Sequence, residues 1–180
     1  MLPRATRERK ARERVHLDGR SVEIQRLIGR ALRQAVNLEA LGERTLILDV
    51  DVLQADGGTR TAAITGGFVA VVEACRWLRR EKLVQSSDRL IRRFVAAVSV
   101  ALLPDGPVLD PCYEEDVLAL ADFNLVGDDA GHWIEVQGTA EQRPCRPEEL
   151  NQILHWAREA IQRIIQVQQR ALRFPERDIP

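Results

Sequence analysis

The residues best placed to do chemistry lie in a glycine-containing stretch, LQADGGTRT, at positions 53–61. Gly57 and Gly58 allow a tight turn and let a ligand approach the backbone with no Cβ in the way. Thr59 adds a hydroxyl donor, and Arg60 adds a planar, permanently charged fork that suits phosphate. An amphipathic stretch follows, so this junction presents the free N–H groups of a helix N-terminus, where an anion is favoured. The pattern predicts a phosphate site. An ordinary glycine turn before a helix is the alternative that these residues leave open.

A second polar group is acidic and lies within residues 110–122. Its members are Asp110, Glu114, Glu115, Asp116 and Asp122. Asp116 and Asp122 are separated by the apolar residues 117–121. Because their interval is even, an uninterrupted strand would place both carboxylates on one face. Such a pair could hold a metal ion or act as a general acid. Charges that protect an exposed strand edge are the alternative.

Composition limits the classes of protein that fit. The 180 residues are 45% hydrophobic and 29% charged, which is typical of one soluble globular domain. We predict that no apolar stretch of the sequence approaches the length of a membrane span, so we predict no membrane partner. The three cysteines are widely spaced, which indicates reduced thiols of a cytoplasmic protein and no zinc site. A basic start and an acidic middle, residues 105–129, would suit a polyanion held near a metal.

The pattern of apolar residues predicts alternating elements. Helical periodicity predicts helices over residues 22–36, 60–80 and 147–172. Apolar and alternating runs predict strands over residues 45–53, 94–103, 108–115, 122–126 and 132–136. A tight turn at residues 127–131 makes the last two strands a hairpin. The predicted fold is an α/β sandwich of a mixed sheet and helices, with a frayed tail after Phe174.

Several segments carry a resemblance to a known family. They are MLPRAT at 1–6, GRSVEIQRLIGRALR at 19–33, LEALGERT at 38–45, DVLQADGGTRTAAITG at 51–66, VAAVSV at 95–100 and EVQGTAE at 135–141. In this order they resemble the ribonuclease PH family, which implies that family's fold, that of ribosomal protein S5 domain 2. The resemblance also implies a cytoplasmic, phosphate-dependent 3′→5′ exoribonuclease and tRNA nucleotidyltransferase. Inorganic phosphate, the co-substrate, would release nucleoside diphosphates from tRNA precursors. A homo-oligomeric ring, a hexamer built as a trimer of dimers, is implied as well.

The resemblance assigns site residues by position. Gly58, Thr59 and Arg60 match the family's phosphate-binding residues, and Arg20 matches an arginine on the same phosphate. Asp122 and Asp116 match the acidic residues expected to assist the leaving 3′-oxygen and to share a divalent ion, Mg²⁺. The expected RNA-binding residues belong to a basic loop and are Arg4, Arg9 and Arg12.

The sequence also departs from the family. Its members begin with strands that precede the match to Met1. We therefore expect one domain over residues 1–174, and the lack of those strands predicts a smaller core and a bare sheet edge. A start site assigned too late and a real truncation both remain open. Pro111 and Cys112 replace a usual pair in the acidic segment. The alternative function is therefore a catalytically impaired remnant or a non-catalytic RNA-binding or ring subunit. Five side chains favour the enzyme because they are retained: Arg20, Thr59, Arg60, Asp116 and Asp122.

Overall fold

The computed structural model describes residues 19–85 and 89–173. In these residues the helices are α1 Gly19–Ala35, α2 Leu38–Leu41, α3 Thr59–Arg80, α4 Tyr113–Val117 and α5 Pro147–Ala171. The strands are β1 Val95–Leu103, β2 Gly106–Leu109, β3 Ala121–Asp128 and β4 Trp133–Ala140. The four strands form one antiparallel sheet in the order β2-β1-β3-β4. The three long predicted helices and the hairpin of the last two strands are therefore confirmed.

Helices cover both faces of this sheet. Ser99 of β1 lies 3.0 Å from Thr61 of α3, measured between the hydroxyl oxygens. Ala96 of β1 is paired with Gly127. A Cβ added to Gly127 would lie 3.3 Å from the Ile161 side chain of α5. Because side chains alternate along a strand, Ala96 and Ser99 point to opposite faces. The helices α3 and α5 thus lie on opposite faces and meet at the end of β1, where Gln168 Nε2 of α5 donates to the Thr65 carbonyl at 3.0 Å. Strand β1 is buried along almost its whole length.

Helix α1 lies on the same side as α3. Arg30 of α1 forms a two-bond ion pair with Glu135 of β4, with Nε 3.1 Å from Oε2. Glu135 is paired with Val126, and Val126 is paired with Ala97, which shares the face of Ser99. Near its N-terminal end, α1 reaches the start of α3 through the ion pair of Glu23 with Arg60, and this meeting point contains the candidate site.

Helix α3 corrects one expectation about the membrane. Its 22 residues are long and apolar enough, by length and composition alone, to cross a bilayer. The prediction that no apolar stretch of this sequence is long enough to span a membrane was therefore wrong. Packing explains the hydropathy, because Ile64, Phe68 and Val72 recur at helical spacing and are completely buried. The apolar face of α3 is a core face of this fold.

The predicted strand over residues 45–53 was wrong, because these residues form no strand in the structure. Their alternation is nevertheless real. Leu46 and Leu48 pack against the core, whereas the Ile47 side chain is 91% exposed. Alternating burial makes a strand only when a neighbouring strand supplies hydrogen bonds, and none of the four described strands pairs with this segment.

The predicted strand over residues 108–115 is correct only as far as Leu109. Asp110 then adopts a φ of +53°, and Pro111 has no backbone donor. Helix α4 follows, and its first turn is capped by Glu115 Oε2, which accepts from the Cys112 N–H at 2.8 Å. Asp116 therefore lies on a helix, so the argument that one uninterrupted strand carries both aspartates was wrong.

A buried carboxylate fixes the β3–β4 hairpin. Asp128, only 1% exposed, accepts hydrogen bonds from Arg93 Nη1 at 3.0 Å and from the His132 N–H at 2.8 Å. Burial alone would raise the pKa of Asp128, but the bonds from His132 and Arg93 outweigh it and lower that pKa. Sequence patterns gave no sign of the Arg93–Asp128 pair, because the two residues are 35 positions apart in the chain.

We expect Asp128→Ala to lower the free energy of unfolding by about 2–4 kcal/mol, because Arg93 and the His132 amide lose a buried acceptor. Urea unfolding measures this loss, with Asp105→Ala in the exposed turn as the control. A lowered pKa stabilises the fold above the unfolded value of about 3.9. That contribution disappears as the pH falls through the folded pKa, so the difference between variant and wild type should shrink in acid. An equal difference at all pH values would contradict this account.

Candidate phosphate and acidic site

The two glycines before α3 are required by close packing. Gly58 is the N-cap of α3 and has a φ of +61°, the left-handed region that favours glycine. A Cβ on Gly57 would lie 1.8 Å from the carbonyl oxygen of Pro111. The preceding Asp56 Oδ1 accepts from the Tyr113 N–H at 2.7 Å. The glycine turn is therefore fastened to the segment that carries the acidic residues.

A row of buried polar side chains supports this turn from below. Thr61 Oγ1 donates to the Gly58 carbonyl at 2.8 Å, and it lies 3.0 Å from Ser99 Oγ. Ser99 Oγ in turn donates to Asn124 Oδ1 at 3.2 Å. All three side chains are nearly inaccessible to solvent. Sequence reasoning considered Ser99 only as an improbable nucleophile. Its isolation as a polar residue inside an apolar strand was the signal for this supporting role.

The N-terminus of α3 is suited to an anion. Its N-cap is a glycine, which provides no side-chain acceptor for the amides of the first turn. These amides and the positive end of the helix dipole favour a bound anion, and Thr59 and Arg60 occupy the same turn. The residues predicted to bind phosphate thus lie together at one helix end.

Helix α1 approaches this end of α3 through one ion pair. Arg60 Nε donates to Glu23 Oε2 at 3.2 Å. Arg20 precedes Glu23 by about one helical turn on α1 and is exposed, and its assignment to the phosphate stays a prediction. The predicted RNA-binding arginines, Arg4, Arg9 and Arg12, lie outside the described residues.

The acidic pair lies beside the same helix end. Asp122 is paired with Ala101 and Thr139 and shares the strand face of Asn124, which is the face toward α3. Burial raises the pKa of Asp122, and the negative charges of Glu141 and Asp116 raise it further, whereas Arg60 opposes them. The fold therefore brings Asp116 and Asp122 close, although not through one strand. Glu141 belongs to this cluster and was not predicted.

This cluster fits a magnesium ion that is shared with a substrate. The described residues contain no group of three or more protein ligands that could hold a metal by themselves. Mg²⁺ commonly binds through one or two carboxylates, waters and substrate phosphates. Asp116 and Asp122 supply two carboxylates whose mutual repulsion a divalent cation would relieve, and the adjoining helix end suits a phosphate.

A crowded glycine before α3, Gly57, and an open glycine within α3, Gly66, allow a matched test. Gly57→Ala must displace the Pro111 carbonyl, whereas a Cβ at Gly66 meets no atom within 4 Å. We expect Gly57→Ala to reduce any phosphate-dependent activity about a hundredfold, because it misplaces the turn by an ångström or more. Gly66→Ala should keep full activity and stabilise the helix by about 0.5–1 kcal/mol. Enzyme assays and thermal unfolding measure both effects, and equal behaviour of the two variants would refute the packing argument.

Family comparison agrees with this geometry. Residues 1–76 match domain 1, and residues 93–160 match domain 2, of the 3′ exoribonuclease family. The chain belongs to this family. The first match ends within the last turns of α3 and the second begins just before β1, and the prediction of one domain over residues 1–174 stays a prediction.

Two relatives are named ribonuclease PH. The protein of Thermosynechococcus vestitus is 54% identical over 172 residues, which are 96% of this chain and 70% of the relative. The protein of Acaryochloris marina is 53% identical over 172 residues, which are 96% of this chain and 71% of the relative. The family predicted from the sequence motifs is therefore confirmed.

Solved structures confirm the fold. The crystal structure of rice Rrp46 has a TM-score of 0.69 at 16% identity, covering 88% of this chain and 68% of that one. A chain of the Archaeoglobus fulgidus exosome, with RNA bound to the active site, also has a TM-score of 0.69 at 16% identity. The matched region covers 92% of this chain and 67% of the exosome chain. At 16% identity these structures support the fold alone.

Proposed function

We propose that this chain is a phosphate-dependent 3′→5′ exoribonuclease that trims the 3′ ends of tRNA precursors and releases nucleoside diphosphates. Membership of the 3′ exoribonuclease family and the two ribonuclease PH relatives support this proposal. The observation that carries it is the juxtaposition of Arg60, at the helix N-terminus, with the carboxylate of Asp122. One group suits an attacking anion and the other suits a leaving oxygen, and phosphorolysis needs both.

Phosphate would be bound at the start of α3. The first-turn amides, the Thr59 hydroxyl and the guanidinium of Arg60 neutralise it, and Arg20 contributes a second cation from α1. Attack by one phosphate on another phosphodiester requires alignment and charge neutralisation more than a strong base. The buried row beneath the turn keeps these donors in place before the substrate arrives.

The acidic side would assist departure of the terminal nucleotide. A carboxyl whose pKa is raised by burial and by nearby carboxylates can carry a proton toward the leaving 3′-oxygen, and Asp122 is that group. Alternatively, Asp116 and Asp122 would hold Mg²⁺ as ionised carboxylates, and the ion instead of a proton from Asp122 would then supply charge neutralisation at the reacting phosphates.

The remaining elements of the proposal concern partners and location. Arg4, Arg9 and Arg12 would grip the RNA backbone through salt-sensitive contacts that do not depend on sequence. We propose that this chain, as a member of the 3′ exoribonuclease family, assembles into a homo-oligomeric ring, and a hexamer is the form we propose. A cytoplasmic location agrees with three cysteines that form no disulfide among the described residues.

The proposal is tested with an RNA that carries a single-stranded 3′ tail. Degradation should require phosphate and should not occur with sulfate at equal ionic strength, because sulfate fills an anion site without replacing the nucleophile. Nucleoside monophosphates formed without phosphate would contradict phosphorolysis. RNA binding without degradation under either condition would favour the non-catalytic alternative.

A further inference from the structure

The guanidinium of Arg60 is held by one protein group. Its Nε donates to Glu23 Oε2 at 3.2 Å, and both side chains are about one-third exposed, at 29% and 36%. The Arg60 side chain makes no other hydrogen bond within residues 19–85 and 89–173, so its two terminal nitrogens keep their donors available. The contact joins two helices, since Glu23 lies in α1 and Arg60 lies in α3.

The geometry of an arginine gives this single contact a consequence. A guanidinium binds a phosphate best through two parallel N–H donors, and the pair of terminal nitrogens forms one such edge. A carboxylate on Nε leaves the edge formed by the two terminal nitrogens open. It also restricts rotation of the long arginine side chain. Arginine side chains lose much conformational freedom on binding, so a guanidinium that is already oriented binds a phosphate more tightly.

We propose that Glu23 is a positioning residue, whose carboxylate holds Arg60 through Nε so that the terminal nitrogens meet the attacking phosphate. This inference rests on the proposed function, because it assigns Glu23 to the same phosphate pocket. It also explains how a carboxylate is tolerated beside an anion site. Glu23 offsets one positive charge, while Arg20 and the end of α3 keep the pocket attractive to phosphate.

Two variants at Glu23 separate orientation from simple charge. Glu23→Ala removes the acceptor, and we expect the KM for phosphate to rise about three- to tenfold at constant ionic strength. Glu23→Gln retains an oxygen that can accept from Nε, so its KM for phosphate should stay within about twofold of wild type. The KM for RNA should not change in either variant, because the hydrogen bond of the Glu23 side chain goes to Arg60 and the proposed RNA contacts come from other arginines. Glu73→Ala is the matched control, since it removes an ion pair with Arg76 on the same helix α3.

Direct binding of labelled inorganic phosphate, measured by equilibrium dialysis, gives a readout that needs no turnover. The inference predicts weaker phosphate binding in Glu23→Ala and nearly normal binding in Glu23→Gln and Glu73→Ala. Tighter phosphate binding in Glu23→Ala would mean that Glu23 competes with phosphate, and it would overturn the inference. Equal binding in all four proteins would overturn it as well. If the wild type binds phosphate but does not degrade RNA, the proposed function fails and the dialysis still decides the role of Glu23.

Discussion

Arg60→Ala is expected to reduce kcat/KM for phosphate by about a hundredfold or more, which is typical of losing a preorganised donor to a reacting oxyanion. The substitution removes the guanidinium at the start of α3, where the glycine N-cap provides no other side chain for the anion. RNA binding should remain close to that of the wild type, because the proposed RNA contacts come from other arginines. Steady-state kinetics with varied phosphate, together with an RNA-binding titration, measure the two effects.

Two further variants control for charge and for helix surface effects. Arg60→Lys keeps the charge but loses the planar fork, so it should recover only part of the activity. Arg80→Ala changes an arginine at the far end of α3, whose side chain is 73% exposed, and it should leave the kinetics unchanged. Wild-type phosphate kinetics in Arg60→Ala would refute the assignment of the pocket.

Asp122→Asn is the second substitution with a large expected effect, a loss of about 10²- to 10⁴-fold in kcat. Asparagine has nearly the same shape but cannot transfer the proton or supply the charge for a cation. Phosphate affinity should be maintained, since the start of α3 is unchanged. Single-turnover degradation of a 3′-tailed RNA, followed with and without Mg²⁺, measures the loss. The variant should also lose most of its response to added Mg²⁺.

Folding provides the internal control for this variant. Burial, Glu141 and Asp116 raise the pKa of Asp122, so ionisation of this group opposes the folded state. A folded pKa above the unfolded value stabilises the protein at low pH, and this contribution is lost as the pH rises through the folded pKa. At neutral pH, Asp122→Asn should therefore unfold no more easily than the wild type. Loss of activity together with a large loss of stability would mean that Asp122 is a structural residue.

Much of the architecture could be predicted from the sequence, and the failures have physical causes. Helices α1, α3 and α5 have clear 3.6-residue periodicity, so local pattern and burial agree. Residues 45–53 show the alternation of a strand and keep it as alternating burial, yet they lack a paired neighbour. Hydrogen bonding across strands is a long-range property, which a local pattern does not contain.

The candidate site was predictable where function depends on a contiguous motif. Gly58, Thr59 and Arg60 form one helix start, so their proximity follows from sequence order alone. Asp116 and Asp122 were grouped for an incorrect reason, because Asp116 lies on the short helix α4 and a turn separates it from Asp122 on β3. Glu23 and Glu141 were missed since their contacts with the site depend on how α1 and the end of β4 are placed.

The most direct test of phosphorolysis follows the atoms of the attacking phosphate. The protein is incubated with unlabelled 3′-tailed RNA and ³²P-labelled inorganic phosphate, and the released nucleotides are separated. Attack by phosphate on the terminal phosphodiester predicts that the label appears in nucleoside diphosphates, at the β position, in an amount equal to the nucleotides released. Release of unlabelled nucleotides at the same rate, with no label in any diphosphate, would contradict the account.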